Sequence, residues 1–209
     1  MNMKFKAIVL MIFLLTGPGA HAQEVFEKIG TAGAHFLDVS LDAGIRGMGD
    51  ASSALIIPDA YAIHYNPATL VYVPSWSTSF GMVNYFAGIS VTGGAAAYRM
   101  EGIGTVGLHY RGLNSGEMEE TTVLQQSGTG NTFEWNDVAL GVSFARSFTD
   151  KFSFGMNVNY IKESIDVYDL NASAWSIDLG TFYMTGFRSL RLGMTIRNFG
   201  PELDFATSF

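Results

Sequence analysis

Gly102-Ile-Gly-Thr-Val-Gly107 has the spacing of a glycine loop that cradles a phosphate. A dinucleotide site needs a strand before such a loop and a helix after it. The next residues, Leu108-His-Tyr-Arg111, have a strand pattern, so nucleotide binding is set aside. His35, His64 and His109 lie far apart and lack metal-ligand spacing; His64 is expected in the N-terminal part of the fold and His109 on an inward strand face. The chain has 0 cysteines, which excludes a thiol nucleophile, a thiolate metal site and a disulfide. Asp178, Arg191 and Arg197 could meet as a charged cluster; the plainer reading is a satisfied polar network in the interior. No catalytic triad or carboxylate pair stands out. No enzymatic role, no cofactor and no metal are therefore expected.

The elements that must position these residues are strands, and Val138 to Tyr160 shows it most clearly. Val138, Leu140, Val142, Phe144, Arg146 and Phe148 alternate with Ala139, Gly141, Ser143, Ala145 and Ser147. Thr149-Asp150-Lys151 turns the chain. Phe152, Phe154, Met156, Val158 and Tyr160 then alternate with Ser153, Gly155, Asn157 and Asn159. A period of two on both arms is a β-hairpin. The face opposite the large residues carries Gly, Ala, Ser and Asn rather than Lys, Glu and Thr. Such residues suit a crowded polar interior, which leaves the large apolar face pointing outward into lipid, the inverted pattern of an outer-membrane barrel. A two-sheet sandwich with a small-residue contact is the alternative from this hairpin alone.

The N-terminus fits that compartment. Lys4 and Lys6 precede the apolar run Ala7 to Leu15, and Ala20-His21-Ala22 fits a small-x-small cleavage site. Residues 1–22 are expected to be a secretory signal peptide. Its removal leaves 10 basic and 19 acidic residues, net −9, from the 12 and 19 of the whole chain. That balance argues against nucleic acid as a partner. Charged residues make up 15 % of the sequence, against about 25 % in an ordinary soluble domain. Mean hydropathy is +0.20, yet no run of about 20 apolar residues comes after the signal. The sequon Asn171-Ala-Ser173 carries no weight in a chain whose export signal looks bacterial.

Seven strands are expected over residues 75–209. They are Trp76 to Phe86, Ile89 to Met100, Thr105 to Arg111, the two arms of the hairpin, Trp175 to Tyr183 and Leu190 to Arg197. The inward polar set is His109, Arg111, Asn157, Asn159, Asp178, Arg191 and Arg197. Tight turns at Glu101-Gly102, Asp150-Lys151 and Arg188-Ser189 alternate with long loops at Asn114 to Asn136 and Ile165 to Ser173. Periplasmic turns and extracellular loops alternate in this way. Tyr110, Trp135, Tyr160 and Trp175 collect at the long-loop end and Trp76, Phe148, Phe152 and Phe187 at the other, as two interfacial girdles do. The long loop, acidic and without Lys or Arg, carries Phe133 and Trp135 as candidate docking residues.

Residues 23–74 differ in kind, being rich in Gly and Ala. Asp59 is placed to cap a helix from Ala60 to Tyr65, and Asn66-Pro67-Ala68 to close it. Ala43-Gly-Ile-Arg-Gly-Met-Gly-Asp-Ala51 followed by Asp59-Ala-Tyr-Ala-Ile-His-Tyr-Asn-Pro-Ala68 resembles the N-terminal signature of the PorV/PorQ family, within the wider FadL-like outer-membrane barrels. Thr132-Phe133, Asp178-Leu-Gly180 and Leu192-Gly-Met-Thr-Ile-Arg-Asn-Phe-Gly-Pro201 extend the likeness from about Ala34 to Leu203. The resemblance implies a hatch that plugs the barrel, with Gly44, Arg46, Gly47, Met48, Gly49, Asn66, Pro67 and Ala68 as its motif. It implies about fourteen strands in the intact barrel, so seven would be an N-terminal part. It also implies a place in the outer membrane, with lipid around the strands. The role implied is in type IX secretion, with secretion-system components or secreted cargo proteins as partners. A FadL-like channel for hydrophobic small molecules is the alternative, and Gly93-Gly94 could supply the strand kink that it needs.

Overall fold

Alternation of large and small residues produces the strands the periodicity calls for. In the computed structural model, residues 33–165, 170–201 and 203 are described, all within the compact unit Thr31–Phe209. The signal peptide expected at residues 1–22 lies outside them. The long strands are β1 (Trp76–Asn84), β2 (Ser90–Met100) and β3 (Gly104–Asn114). A short ribbon comes next, β4 (Met118–Glu119) with β5 (Thr132–Phe133). Then come β6 (Trp135–Ser147), β7 (Phe152–Ile165), β8 (Leu170–Met184) and β9 (Arg191–Phe199). The seven long strands form one antiparallel sheet in the order β1-β2-β3-β6-β7-β8-β9, each beside its neighbour in sequence. The protein is all-β, and no helix among the described residues is long and apolar enough to cross a membrane.

The two faces of the sheet differ in the expected sense. Leu108, Leu140, Val142, Met156, Trp175 and Met194 stand exposed on one face. Ala95, Ala97, Ala139, Ser143, Ala145, Ser153, Asn157 and Asn159 are buried on the other. In register, Val142 pairs with Val158 and Ser143 with Asn157, so large residues face large and small face small through the middle of the hairpin, while Ala139 meets the buried Ile161 near its open end. A one-residue slip would exchange the two faces, which fixes the register.

The chain before β1 is what buries the small face. A short helix, Ala43–Gly47, is capped by Asp42, whose carboxylate accepts from the Ile45 N–H at 2.9 Å. A second, Ala62–Tyr65, leads through Asn66 into a 3-10 segment, Pro67–Tyr72, that lies across β6, β7 and β8. Ile63, Leu70 and Val73 are fully buried against Ala95, Ala97 and Ala145. Each such side chain contributes about 1.5–3 kcal/mol when taken from water. Glycines let the backbones approach: a Cβ on Gly155 would fall on the Pro67 carbonyl, and one on Gly180 on the Asn66 side chain.

Several boundaries differ from the sequence reading. The connection expected to span Ile165 to Ser173 shrinks to residues 166–169, because Glu163 pairs with Ala172 and Ser164 with Asn171. Leu190 leaves β9 for the preceding turn, where its carbonyl accepts from the Thr185 N–H at 3.3 Å. Phe86 leaves β1, because Ala87, at φ 55°, turns the chain there. The 114–136 loop is not irregular throughout: Met118 pairs with Phe133 and Glu119 with Thr132. Within the block Gly44 to Gly49, Ile45 is buried in the core, but Gly47 and Gly49 make no close approach. Gly47 has open space around it and Gly49 is used for its backbone, at φ +66°. The close approaches fall on the strand glycines instead.

Candidate functional site

Two polar clusters join the N-terminal segment to the sheet. The first is built on Asn66, which has no exposed surface. Its Nδ2 donates to the Ser53 carbonyl at 2.6 Å and to the Thr181 carbonyl of β8 at 3.1 Å. Its Oδ1 accepts from the Ala68 N–H at 3.0 Å, opening the 3-10 turn that Pro67 favours at its first position. The Ala68 carbonyl in turn accepts from Ser153 Oγ at 2.9 Å. One side chain thus ties three stretches of backbone together, with every polar atom satisfied.

The second cluster is centred on Asp178 of β8. Its Oδ2 accepts from Asn157 Nδ2 and Asn159 Nδ2, both at 3.0 Å, and its Oδ1 accepts from the Asn198 N–H at 2.7 Å. Asn157 Nδ2 also donates to the Ile63 carbonyl at 2.9 Å, so the sheet's network grips the N-terminal segment directly. His109 Nε2–H donates to Asn159 Oδ1 at 2.8 Å, since Asn159 Nδ2 already serves Ser176 Oγ and Asp178, and Ser143 Oγ lies 3.4 Å from His109 Nδ1. His64 stacks edge-on against it with ring centroids 5.3 Å apart. Arg111 is buried, bonding the Leu37 carbonyl. Arg197 Nη1 reaches the His64 carbonyl at 3.5 Å.

The inward set therefore comes together with one exception. His109, Arg111, Asn157, Asn159, Asp178 and Arg197 form one neighbourhood, but Arg191 does not join it. Arg191 pairs with Met184 at the far end of β9 and is exposed. The ion-pair cluster of Asp178 with two arginines does not form either. Among the described residues the ion pair present is the exposed Arg46–Asp50 contact at 2.5 Å. Asp178 spends its charge on amide donors instead. Arg46 is thus a surface residue, as are Gly44, Gly47, Met48 and Gly49, whereas Asn66, Pro67 and Ala68 are buried at the sheet. The GxGxxG stretch is a turn, with Gly102 at φ 76°, running into β3.

In the 114–136 loop, Trp135 lies at the base rather than at the tip. Its indole N–H donates to Asp137, and its backbone exchanges bonds with Ser115. Phe133 is half-buried in β5. The exposed apolar pair is Val123 and Leu124, at 90 % and 95 % exposure, in a turn closed by reciprocal Thr122 and Gln125 backbone bonds.

Sequence reasoning overlooked Ser53, Thr181 and Asn198. Ser53 and Thr181 contribute carbonyls, which leave no mark in side-chain pattern. Asn198 did carry a signal. It sits at φ 56°, a conformation Asn tolerates better than most residues, and a register shift beside it offsets β9 against β8 between Ile177 and Leu179.

No curated protein matches the chain significantly. The family model for the type IX secretion system protein PorV matches residues 21–208, nearly the whole length. An all-β meander whose small-residue face is sealed by its own N-terminal segment agrees with that match, and the chain belongs to the PorV family.

Proposed function

We propose that the protein is an outer-membrane β-barrel component of type IX secretion that receives or anchors secreted proteins at the cell surface. Membership of the family carries the involvement in secretion; the finer role is argued from the two surfaces the sheet presents. The exposed face, with Phe80, Leu108, Leu140, Val142 and Met194, suits lipid contact, since water would penalise so large an apolar area. Exported through its signal peptide, the chain would sit in the bacterial outer membrane. The N-terminal segment, residues 23–74, would act as a plug, with Asn66, Pro67 and Ala68 as its anchor on the sheet.

The observation that carries the docking role is the β4–β5 ribbon. It holds Val123 and Leu124 out at its tip, flanked by Glu117, Glu119 and Glu120, with no Lys or Arg from Asn114 to Asn136. An ordered apolar tip in an acidic surround fits a partner with an apolar pocket and a basic rim. Replacing Glu117 to Gly130 in the full-length protein by a short Gly-Ser linker tests this. Barrel assembly is expected to persist while surface attachment of secreted proteins falls. Intact secretion with lost uptake of long-chain hydrophobic compounds would instead make the protein a FadL-like channel.

A further inference from the structure

Between the helix Ala62–Tyr65 and strands β3, β7, β8 and β9 lies a cavity of about 30 Å³. His64, His109, Arg111, Asn159, Asp178 and Arg197 are among its lining residues. A site for one water needs roughly 10–15 Å³ by this kind of measure, so the space takes one or two small species. Its donors and acceptors do not balance. Arg111 is 5 % exposed, and its Nε is buried without a partner among the described residues. The Nε2 of His64 is buried and unpartnered as well. Among the acceptors of the lining, both Asp178 oxygens are filled by Asn157, Asn159 and the Asn198 N–H, and Asn159 Oδ1 is filled by His109; the unpartnered acceptor nearby, Asn157 Oδ1, does not line the cavity.

The charges point the same way. Two guanidinium groups and one carboxylate line the cavity, a net of +1 from these three groups. Neither arginine makes an ion pair among the described residues. A buried cation without a counter-charge is costly, and the cost is met either by a bound anion or by water. Water would satisfy donors but leave the charge uncompensated. Phosphate and sulfate are too large for the space and carry more charge than the site offers.

We propose that this cavity binds a small monovalent anion of the size of chloride, held by Arg111 Nε–H, His64 in its Nε2–H tautomer and the Arg197 guanidinium. The anion would join the N-terminal segment to β3 and β9, adding an ionic tie to the Asn157–Ile63 hydrogen bond. The ligand class rests on cavity size and donor excess and is independent of the secretion role.

The test uses the purified full-length protein in detergent. Thermal melting is followed as chloride replaces gluconate at constant ionic strength, and crystals grown in bromide are examined for an anomalous peak. Melting temperature is expected to rise and saturate with chloride, with a bromide peak in hydrogen-bond reach of Arg111 Nε. Arg197→Gln should lower bromide affinity about tenfold, the loss of one charge-assisted hydrogen bond. Arg111→Gln should abolish the saturable effect; if it fails to fold, the Arg197 variant and the bromide peak decide. Water in the cavity with no bromide peak would overturn the proposal. So would bromide binding unchanged by Arg197→Gln, which would make it an adventitious ion only.

Discussion

Replacing Asn66 with alanine would strip three backbone groups of their partner at once: the part-buried Ser53 and Thr181 carbonyls and the buried Ala68 N–H. Each orphaned group costs about 1–3 kcal/mol, and removing the amide also removes its own desolvation cost. The net loss is about 3–5 kcal/mol for holding residues 53–73 on the sheet. Alanine tolerates the extended backbone there, at φ −144°, so conformational strain adds nothing. Hydrogen exchange read by mass spectrometry on the detergent-solubilised protein measures this directly. Amides of the Pro67–Tyr72 segment should exchange faster by roughly a hundredfold or more, each factor of ten being about 1.4 kcal/mol. Exchange in the β6–β7 hairpin should stay near wild type. Protection within threefold of wild type across residues 60–73 would refute the reasoning. The segment would then be held by Ile63, Leu70 and Val73 alone, with the polar lock contributing nothing.

Val142→Arg should impair assembly in membranes, because arginine near the bilayer midplane costs roughly 2–4 kcal/mol, whereas Val123→Arg at the loop tip should assemble normally. Equal yields of folded protein from the two variants would remove the exposed face from lipid. On intact cells, Gln126→Cys should label with an impermeant thiol reagent and Asp150→Cys should not; equal labelling would reject the orientation. Burial first, and then Arg111 and His109 beside it, hold His64 well below its ordinary range, so it is neutral at pH 7. The unfolded chain takes the proton first, at about pH 6.5, so stability is full above that value and declines as pH falls below it. A melting series from pH 7.5 to 5 should show the decline flattened by His64→Gln, and an unchanged slope would disprove the linkage.

Strand character was legible where side chains alternate without interruption. Val138 to Tyr160 reads as a hairpin because an apolar surround selects large residues on one row and contact with the N-terminal segment selects small ones on the next. Asn66-Pro67-Ala68 was legible too, since Asn before Pro marks a break that a cap must satisfy. Interaction through backbone is what the sequence hides. Ser53 and Thr181 meet Asn66 by their carbonyls, and any residue type could stand there. The ribbon inside the 114–136 loop escaped notice because two-residue strands are too short to show a period. Arg191 stays apart from the Asp178 cluster for a related reason: alternation reports which face a residue takes, not how far along the strand its neighbours reach. The glycines of Gly44 to Gly49 drew attention by density. Density does not distinguish a turn from a contact, and the contacts proved to be at Gly155 and Gly180.

The register shift at Asn198 acts as a change of phase. Ile196 pairs with Leu179 and Phe199 with Ile177, so three steps along β9 match two along β8. Strict alternation from Ile196 would have turned Phe199 toward the covered face, into the space beside Asp178. The extra residue instead leaves Phe199 outward and aims the Asn198 N–H inward, so one insertion supplies both an outward aromatic and an inward donor. Point substitution of Asn198 would perturb this modestly, because the N–H belongs to the backbone. Deleting the residue would close the bulge: Phe199, then two steps after Ile196, would stay outward, but Asp178 Oδ1 would lose its donor. At this position the protein should tolerate a change of letter far better than a change of length.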